Sequence, residues 1–142
     1  MPDPAKVTYS LELGGVSLGF FRRVVGIESQ TEIIEVKQSG PDGRTVIRKL
    51  PGATKWADIT LERRLDATRA LWDWRSEVVE GDFDSARRDG AVVAFDESGS
   101  EIARWSFTSG WPSSWRAADL DVGTDDGPTE TVTITHEGLV RP

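Results

Sequence analysis

Apolar and polar residues alternate strictly over several short stretches of this chain. In residues 7–13 every odd position is apolar or aromatic, whereas Thr8, Ser10 and Glu12 fill the even positions. Successive side chains of a strand point to opposite faces of a sheet, so this pattern predicts a half-buried β-strand. Gly14–Gly15 suits a two-residue hairpin turn, which predicts that residues 16–21 return as a second strand.

The same signals recur along the chain and predict a mainly β protein. Further strands are predicted at residues 31–37, 46–50, 55–65, 91–95, 102–108 and 131–136. Turn-forming residues separate them, including Pro51–Gly52, which predicts a turn between two of these strands. No repeat or linker interrupts residues 1–142, so we expect a single domain built as an antiparallel β-sandwich or small barrel.

One helix is predicted at residues 67–80. Asp66 can cap its start, Gly81 can end it, and Leu71 and Trp74 begin an apolar stripe. Trp72 points away from that stripe and is therefore an interface candidate. Two further tryptophans occur in the string SGWPSSW at residues 109–115, where Pro112 is expected to halt regular strand pairing. Those rings are expected to close one end of the domain or to dock on a neighbour.

Two of the predicted strands carry an all-polar face. In residues 55–65, Ile59 and Leu61 share one side, and in residues 131–136 Val132 and Ile134 do so. The opposite sides are polar and comprise Asp58, Thr60, Glu62 and Arg64 in the first strand and Thr131, Thr133 and Thr135 in the second. Each strand is therefore expected to place one side against a core and the other against water.

Composition excludes most catalytic chemistry. The chain has no cysteine, and His136 is its one histidine. Adjacent residues of a strand face opposite sides, so Glu137 does not converge with His136 on one site. We expect no enzymatic activity, cofactor or metal site. A net charge of −7 argues against wrapping around nucleic acid. No apolar run is long enough for a membrane span, and residues 1–13 lack the basic-then-apolar order of a signal peptide.

Charge is unevenly distributed along this acidic chain. Residues 38–56 carry a net charge of +3, and residues 119–142 carry −5. The two segments are either ordinary solvated surfaces or complementary ends through which identical copies stack head to tail without closing. On the second interpretation the contact residues are Arg44, Arg48 and Lys49 on the basic side and Asp121, Asp125 and Asp126 on the acidic side.

Five strings occur in a characteristic order. They are RKLPGATKWADITLERRL at residues 48–65, LWDW at 71–74, RRDGAVVAFDESGSEIARW at 87–105, SGWPSSW at 109–115 and THEGL at 135–139. Together they resemble the tail tube protein family of contractile-tailed phages and of phage-like contractile injection systems of bacteria. The resemblance spans nearly the whole chain.

The resemblance implies a structural subunit. Subunits of this family form hexameric rings in which strands of six copies complete one shared β-barrel, and the rings stack into a tube inside a contractile sheath. It implies that the polar sides of the two strands described above line a hydrophilic lumen. These residues are Asp58, Thr60, Glu62, Arg64, Thr131, Thr133 and Thr135. It also places contacts between rings in the segment that contains Leu50, Pro51 and Gly52.

The resemblance also implies partners and a location. The partners are further copies of the chain, the sheath, the baseplate hub or spike, the tape-measure protein, and luminal cargo or DNA that passes without tight binding. Assembly is expected in the bacterial cytoplasm, followed by incorporation into a virion tail or an injection particle, which can be released. Two alternatives stay open: a tube-initiating ring on the baseplate hub, and a monomeric β-domain that binds a ligand or partner.

Overall fold

The computed structural model describes residues 7–118, 120–123 and 127–142. Asp125 and Asp126, two of the acidic contact candidates, lie outside the described residues. The described chain falls into two compact units: residues 7–27 with 58–142, here called the body, and residues 28–57, here called the hairpin unit. That residues 1–142 act as one domain stays a prediction.

Strands dominate both units. In chain order the elements are β1 (Thr8–Leu13), β2 (Val16–Phe21), β3 (Arg23–Val25), β4 (Ser29–Ser39), β5 (Thr45–Trp56), β6 (Ile59–Arg64), α1 (Ala70–Val79), α2 (Phe83–Ala86), β7 (Arg88–Phe95), β8 (Glu101–Ala118), β9 (Thr129–Thr135) and β10 (Leu139–Val140). The first hairpin agrees closely with its prediction, and Gly14 and Gly15 both have positive φ at its turn.

The body is an antiparallel, barrel-like fold in which the sheet turns at two corners. Its strand order is β2-β1-β7-β8-β9-β6-β3, with β10 also paired to β8. The first half of β8 pairs with β7 and the second half with β9, so β8 belongs to both sheet regions. The other corner lies at Arg22, which alone separates β2 from β3. The predicted fold class, a mainly β sandwich or barrel with a packed helix, is confirmed.

The corner in β8 has a local cause. Ser109 adopts a positive φ of 52°, and its backbone N–H donates to Oδ1 of Asp89 over 2.9 Å. A Cβ atom on the adjacent Gly110 would overlap the ring of Phe107. Glycine therefore lets the chain turn tightly against the core at this point. The predicted strand end at residue 108 is wrong, because β8 continues to Ala118 with a register shift between Pro112 and Ser114.

The core lies between the two sheet regions and α1. Its fully buried aliphatic side chains include those that the alternating pattern assigned to the inner face, namely Leu11, Ile59, Leu61, Val132 and Ile134. They pack with Phe21, Phe107, Leu71 and Trp74 in one cluster. The inner-face assignment of the first, sixth and ninth strands is therefore confirmed.

Helix α1 begins three residues later than predicted. The side chain of Asp66 accepts a hydrogen bond from the Thr68 backbone N–H at 2.8 Å, and this bond holds the pKa of Asp66 below its usual value. Asp66 thus stabilises a turn ahead of the helix rather than capping it. Gly81 follows the helix with φ 88°, as expected for a helix stop.

The short helix α2 has no signal in the sequence pattern and was not predicted. It packs beside α1, and Nε1 of Trp74 donates to the Ala86 carbonyl oxygen over 2.6 Å. Neither helix of the described chain has the length and apolar character needed to cross a membrane.

The predicted turn at Pro51–Gly52 is also wrong. β5 runs without interruption from Thr45 to Trp56, and Pro51 lies opposite Ile33, beside a register shift in β4. An irregular position in a two-stranded ribbon accommodates a residue without an N–H donor. The strand ends instead at Trp56, and the next strand begins at Ile59. The predicted strand at residues 55–65 therefore starts four residues later than expected.

Candidate assembly interface

One face of the body sheet is polar across four neighbouring strands, apart from Val25. In one register row, Arg23 of β3, Glu62 of β6, Thr131 of β9 and Arg116 of β8 lie side by side. In the next row Val25, Thr60, Thr133 and Ser114 follow the same order. We call these eight residues the polar face. Six of them also line one shallow surface depression: Arg23, Val25, Thr60, Glu62, Arg116 and Thr131.

Four residues predicted for the lumen thus occupy one continuous surface: Thr60, Glu62, Thr131 and Thr133. The hydroxyl oxygens of Thr60 and Thr133 lie 3.4 Å apart. Thr135 lies at the end of β9, where its hydroxyl donates to Oγ of Ser113 over 2.9 Å. Asp58 precedes β6 rather than belonging to it, and Arg64 is its exposed last residue, so both flank the polar face.

Sequence analysis missed half of the polar face. Arg23 and Val25 lie on a strand of three residues, which is too short for an alternating pattern to reveal. Ser114 and Arg116 lie beyond Pro112, where pairing was expected to stop. The charged group at the centre is Glu62, whose carboxylate binds Arg22 at 3.0 Å and approaches Arg23 at 3.9 Å.

A buried ion pair lies on the inner side of the same strands. Nε of Arg63 donates to Oε1 of Glu130 over 2.9 Å, and Nη1 of Arg63 donates to the Leu18 carbonyl oxygen over 2.8 Å. The indole Nε1 of Trp115 donates to Oε2 of Glu130 over 3.0 Å. Glu130 counts toward the acidic segment in the sequence, but it is only 2 % exposed. It therefore supplies no surface charge.

Two strand edges beside the polar face have no partner strand in the described residues. β3 pairs on one side with β6, and its other side is open. In residues 111–118, β8 pairs with β9 alone, because β7 and β10 pair only with its first half. Unpaired strand edges expose backbone donors and acceptors that can join another strand.

The hairpin unit is a long, exposed two-stranded ribbon. β4 and β5 pair over their whole length and are joined by a turn at residues 40–44, in which the Gly40 N–H donates to the Arg44 carbonyl oxygen over 2.7 Å. One ribbon face carries Ile34, Val36, Val46 and Leu50. Ile34 lies opposite Leu50, whereas Val36 lies opposite Arg48 and Val46 opposite Gln38. Leu50 is 44 % and Val46 49 % exposed. A two-stranded ribbon is marginally stable in water by itself, so this surface is suited to a partner.

Most of the contact candidates in the hairpin unit lie on a strand and not in a loop. Arg44 is in the turn of the hairpin unit, where it forms a 3.5 Å ion pair with Asp42. The others, Arg48, Lys49, Leu50, Pro51 and Gly52, all belong to β5. In the body, Asp121 is exposed shortly after the end of β8. None of these placements tests their predicted role between rings.

His136 has a structural environment. It is 9 % exposed, and its Nδ1 accepts a hydrogen bond from the Gly138 backbone N–H at 3.1 Å. The adjacent Glu137 is exposed. The described residues contain no group of three or more side chains that could hold a metal ion.

Two of the tryptophans outside the core pack against other rings of the body. Trp72 is 47 % exposed, and its ring meets that of Trp115 edge to face at 4.8 Å. Trp111 makes a similar contact with Phe83 of α2 at 5.2 Å. The exposed side of Trp72 stays an interface candidate.

Comparison with known proteins assigns the family. The family model described as T4-like virus tail tube protein gp19 matches residues 5–140, nearly the whole chain. The chain belongs to the tail tube family. It is accordingly a structural protein and not an enzyme, as expected. A search of curated proteins gave no significant match.

Solved structures with the same fold include chains of an extracellular contractile injection system. A chain of the PVC sheath-tube complex in the extended state is 18 % identical with a TM-score of 0.72, covering 94 % of this chain and 87 % of that one. A chain of the PVC sheath/tube terminator is 18 % identical with a TM-score of 0.73, covering 100 % and 97 %. Hcp1 from Flavobacterium johnsoniae is 18 % identical with a TM-score of 0.57, covering 94 % of each chain. The likeness shows a shared tube-protein fold.

Proposed function

We propose that this tail tube protein forms hexameric rings that stack into the inner tube of a contractile injection system or phage tail. In the ring, the polar face lines a hydrophilic lumen together with Asp58, Arg64 and Thr135. Cargo or DNA passes through that lumen without tight binding. The whole chain, residues 1–142, serves as one tail-tube domain.

The main support for this proposal is that the polar face ends on both sides in an open strand edge. β3 of one copy can add to residues 111–118 of β8 in the next, which continues the sheet from copy to copy. A head-to-tail contact of this kind is heterologous and closes only as a ring. Closure leaves the polar side of every copy on one surface and removes the exposed edges.

The hairpin unit supports stacking. On the ribbon face described above, Ile34, Val46 and Leu50 are exposed, and large exposed apolar side chains that lie close together are typical of an interaction surface. Contact with an adjacent ring would cover these side chains. Arg44, Arg48 and Lys49 would then set the register against acidic groups such as Asp121, with Asp125 and Asp126 as further candidates.

Partners follow from the assemblies in which similar folds occur. These include a PVC sheath-tube complex and a sixfold symmetrised baseplate of the anti-feeding prophage. We propose a sheath, a baseplate hub or spike and a tape-measure protein as partners of this chain. The proposed location is the bacterial cytoplasm during assembly and then a virion tail or an injection particle, which can be released from the cell.

Engineered disulfides test the ring. The chain has no cysteine, so a variant with Val25→Cys and Ser114→Cys carries the only two thiols. Within one copy these positions are three strands apart, about 14 Å, which is too far for a disulfide. If β3 pairs with β8 of the next copy, oxidation yields covalent oligomers that stop at six.

The single-cysteine variants are the matched controls, and a second pair, Val25→Cys with Arg116→Cys, covers the neighbouring register. Monomers or dimers from both pairs would contradict the ring.

A tube-initiating ring is the second candidate, because similar folds also occur in baseplate and terminator assemblies. Antibody labelling along whole particles separates the two roles, since a bulk subunit labels the full tube and an initiating ring labels one end.

A further inference from the structure

The polar face carries positive charge on a chain that is acidic as a whole. The first of its two rows holds Arg23, Glu62 and Arg116. Arg22, at the corner between β2 and β3, also contacts the Glu62 carboxylate. This surface therefore carries three guanidinium groups and one carboxylate, which leaves an excess of two positive charges. The net charge of the complete chain is −7. The local sign is thus opposite to that of the molecule.

These arginines are not neutralised within the sheet. Glu62 Oε1 lies 3.0 Å from Arg22 and Oε2 lies 3.9 Å from Arg23, so one carboxylate is shared by two cations. Arg116 is two strands away from Glu62 in the same row, with Thr131 between them. Within the described residues Arg116 forms no ion pair. Its guanidinium is exposed and accessible to an anion.

We propose that Arg22, Arg23 and Arg116 form a cationic belt around the lumen that retains an acidic polypeptide as cargo. This inference rests on the proposed function, because the belt exists only if the polar face lines a lumen. Each contact between a belt arginine and a cargo carboxylate is exposed and therefore weak. Because every copy in the tube repeats the belt, many such contacts act together and retain the cargo, although each one breaks and re-forms. Cargo can therefore be held and still slide.

The surroundings of the belt favour a polypeptide over a nucleic acid. In the Arg22–Glu62 contact the guanidinium donates a hydrogen bond of 3.0 Å to a carboxylate, the group that acidic side chains of a polypeptide carry. The neighbouring row consists of Val25, Thr60, Thr133 and Ser114, so this row offers no aromatic ring on which a base could stack. Proteins that bind single strands without sequence preference use aromatic rings as stacking platforms.

A retention experiment tests the belt. Purified subunits are assembled with a fluorescent polyglutamate peptide, treated with a glutamate-specific protease and sedimented, so that only enclosed peptide is counted. Arg116→Glu should lower the retained peptide by at least about threefold, because it cancels the excess of two positive charges that Arg22, Arg23 and Arg116 give together with Glu62. Raising the salt concentration to about 1 M, where screening acts over about 3 Å, should release most of the peptide from wild-type tubes.

Arg141→Glu is the matched control, since it makes the same change in net charge at an exposed position far along the chain from the belt. Equal retention by both variants in intact tubes would overturn the belt while leaving the tube itself standing. Stronger retention of a single-stranded oligonucleotide than of polyglutamate would also overturn it. Absence of tubes in electron micrographs of the wild type would overturn the proposed function and the belt together.

Discussion

At the level of single residues, the most consequential feature is the ion pair between Arg63 and Glu130. Both side chains are nearly inaccessible, and they lie directly behind the polar face, on the strands β6 and β9. The pair also binds Leu18 and Trp115, so it connects β2, β6, β9 and β8. Strand alternation places Arg63 on the inner side, but it cannot reveal a partner 67 residues away.

Glu130→Gln should destabilise the subunit strongly. The substitution keeps the shape of the side chain but leaves the buried Arg63 guanidinium without a counter-charge, which typically costs about 3–5 kcal/mol. Urea denaturation of the dissociated subunit measures this loss. The same change at the exposed Glu137 should alter the free energy of unfolding by less than about 0.5 kcal/mol.

Replacing both partners discriminates a charge effect from a packing effect. Arg63→Met with Glu130→Leu removes the uncompensated charge and should recover most of the stability that Glu130→Gln loses. If the double variant is as unstable as the single one, the cost comes from packing and not from the charge pair.

At the level of elements, the sequence predicted the strands whose faces differ most. Ile59 and Leu61 on β6 and Val132 and Ile134 on β9 are fully buried, as their alternation indicated. β3 and β10 were missed because two or three residues carry no period, and they become strands only through their pairing with β6 and β8. Half of the polar face depends on such long-range pairing, and the local sequence pattern therefore could not predict it.

The two sides of β6 and β9 should respond oppositely to substitution. Leu61→Asp places an unpaired charge in the core and should prevent folding of the subunit. Thr133→Ala removes one long hydroxyl contact with Thr60 at a half-buried position and should cost less than about 1 kcal/mol. Circular dichroism with thermal melting of the purified subunits checks both. A folded Leu61→Asp variant or an unfolded Thr133→Ala variant would reverse the face assignment.

The hairpin unit shows why local signals failed at Pro51–Gly52. Both residue types favour turns, yet the partner strand β4 holds β5 extended through them. Strand pairing therefore overrides turn preference where an irregular register accommodates the missing N–H of proline.

At the level of the whole molecule, ring formation and ring stacking should be separable. Leu50→Glu places a charge on the exposed apolar face of the hairpin unit, far along the chain from β3 and β8. It should leave the free energy of subunit unfolding within about 0.5 kcal/mol of wild type and still permit rings, but should abolish tubes. Analytical ultracentrifugation distinguishes single rings from longer stacks.

Val79→Glu provides the comparison for this prediction, because Val79 is also an exposed apolar residue but lies on α1. It should stack as the wild type does. Tubes formed by Leu50→Glu as readily as by Val79→Glu would assign the contacts between rings to another surface.

Everything at this scale depends on whether neighbouring copies complete the sheet that carries the polar face. Electron microscopy of the purified, concentrated protein examines this directly, with class averages viewed along the particle axis. We expect sixfold rings or hollow rods with the strands β8, β9, β6 and β3 around the opening. Particles of single 15.6 kDa subunits, even with baseplate and tape-measure partners added, would contradict it.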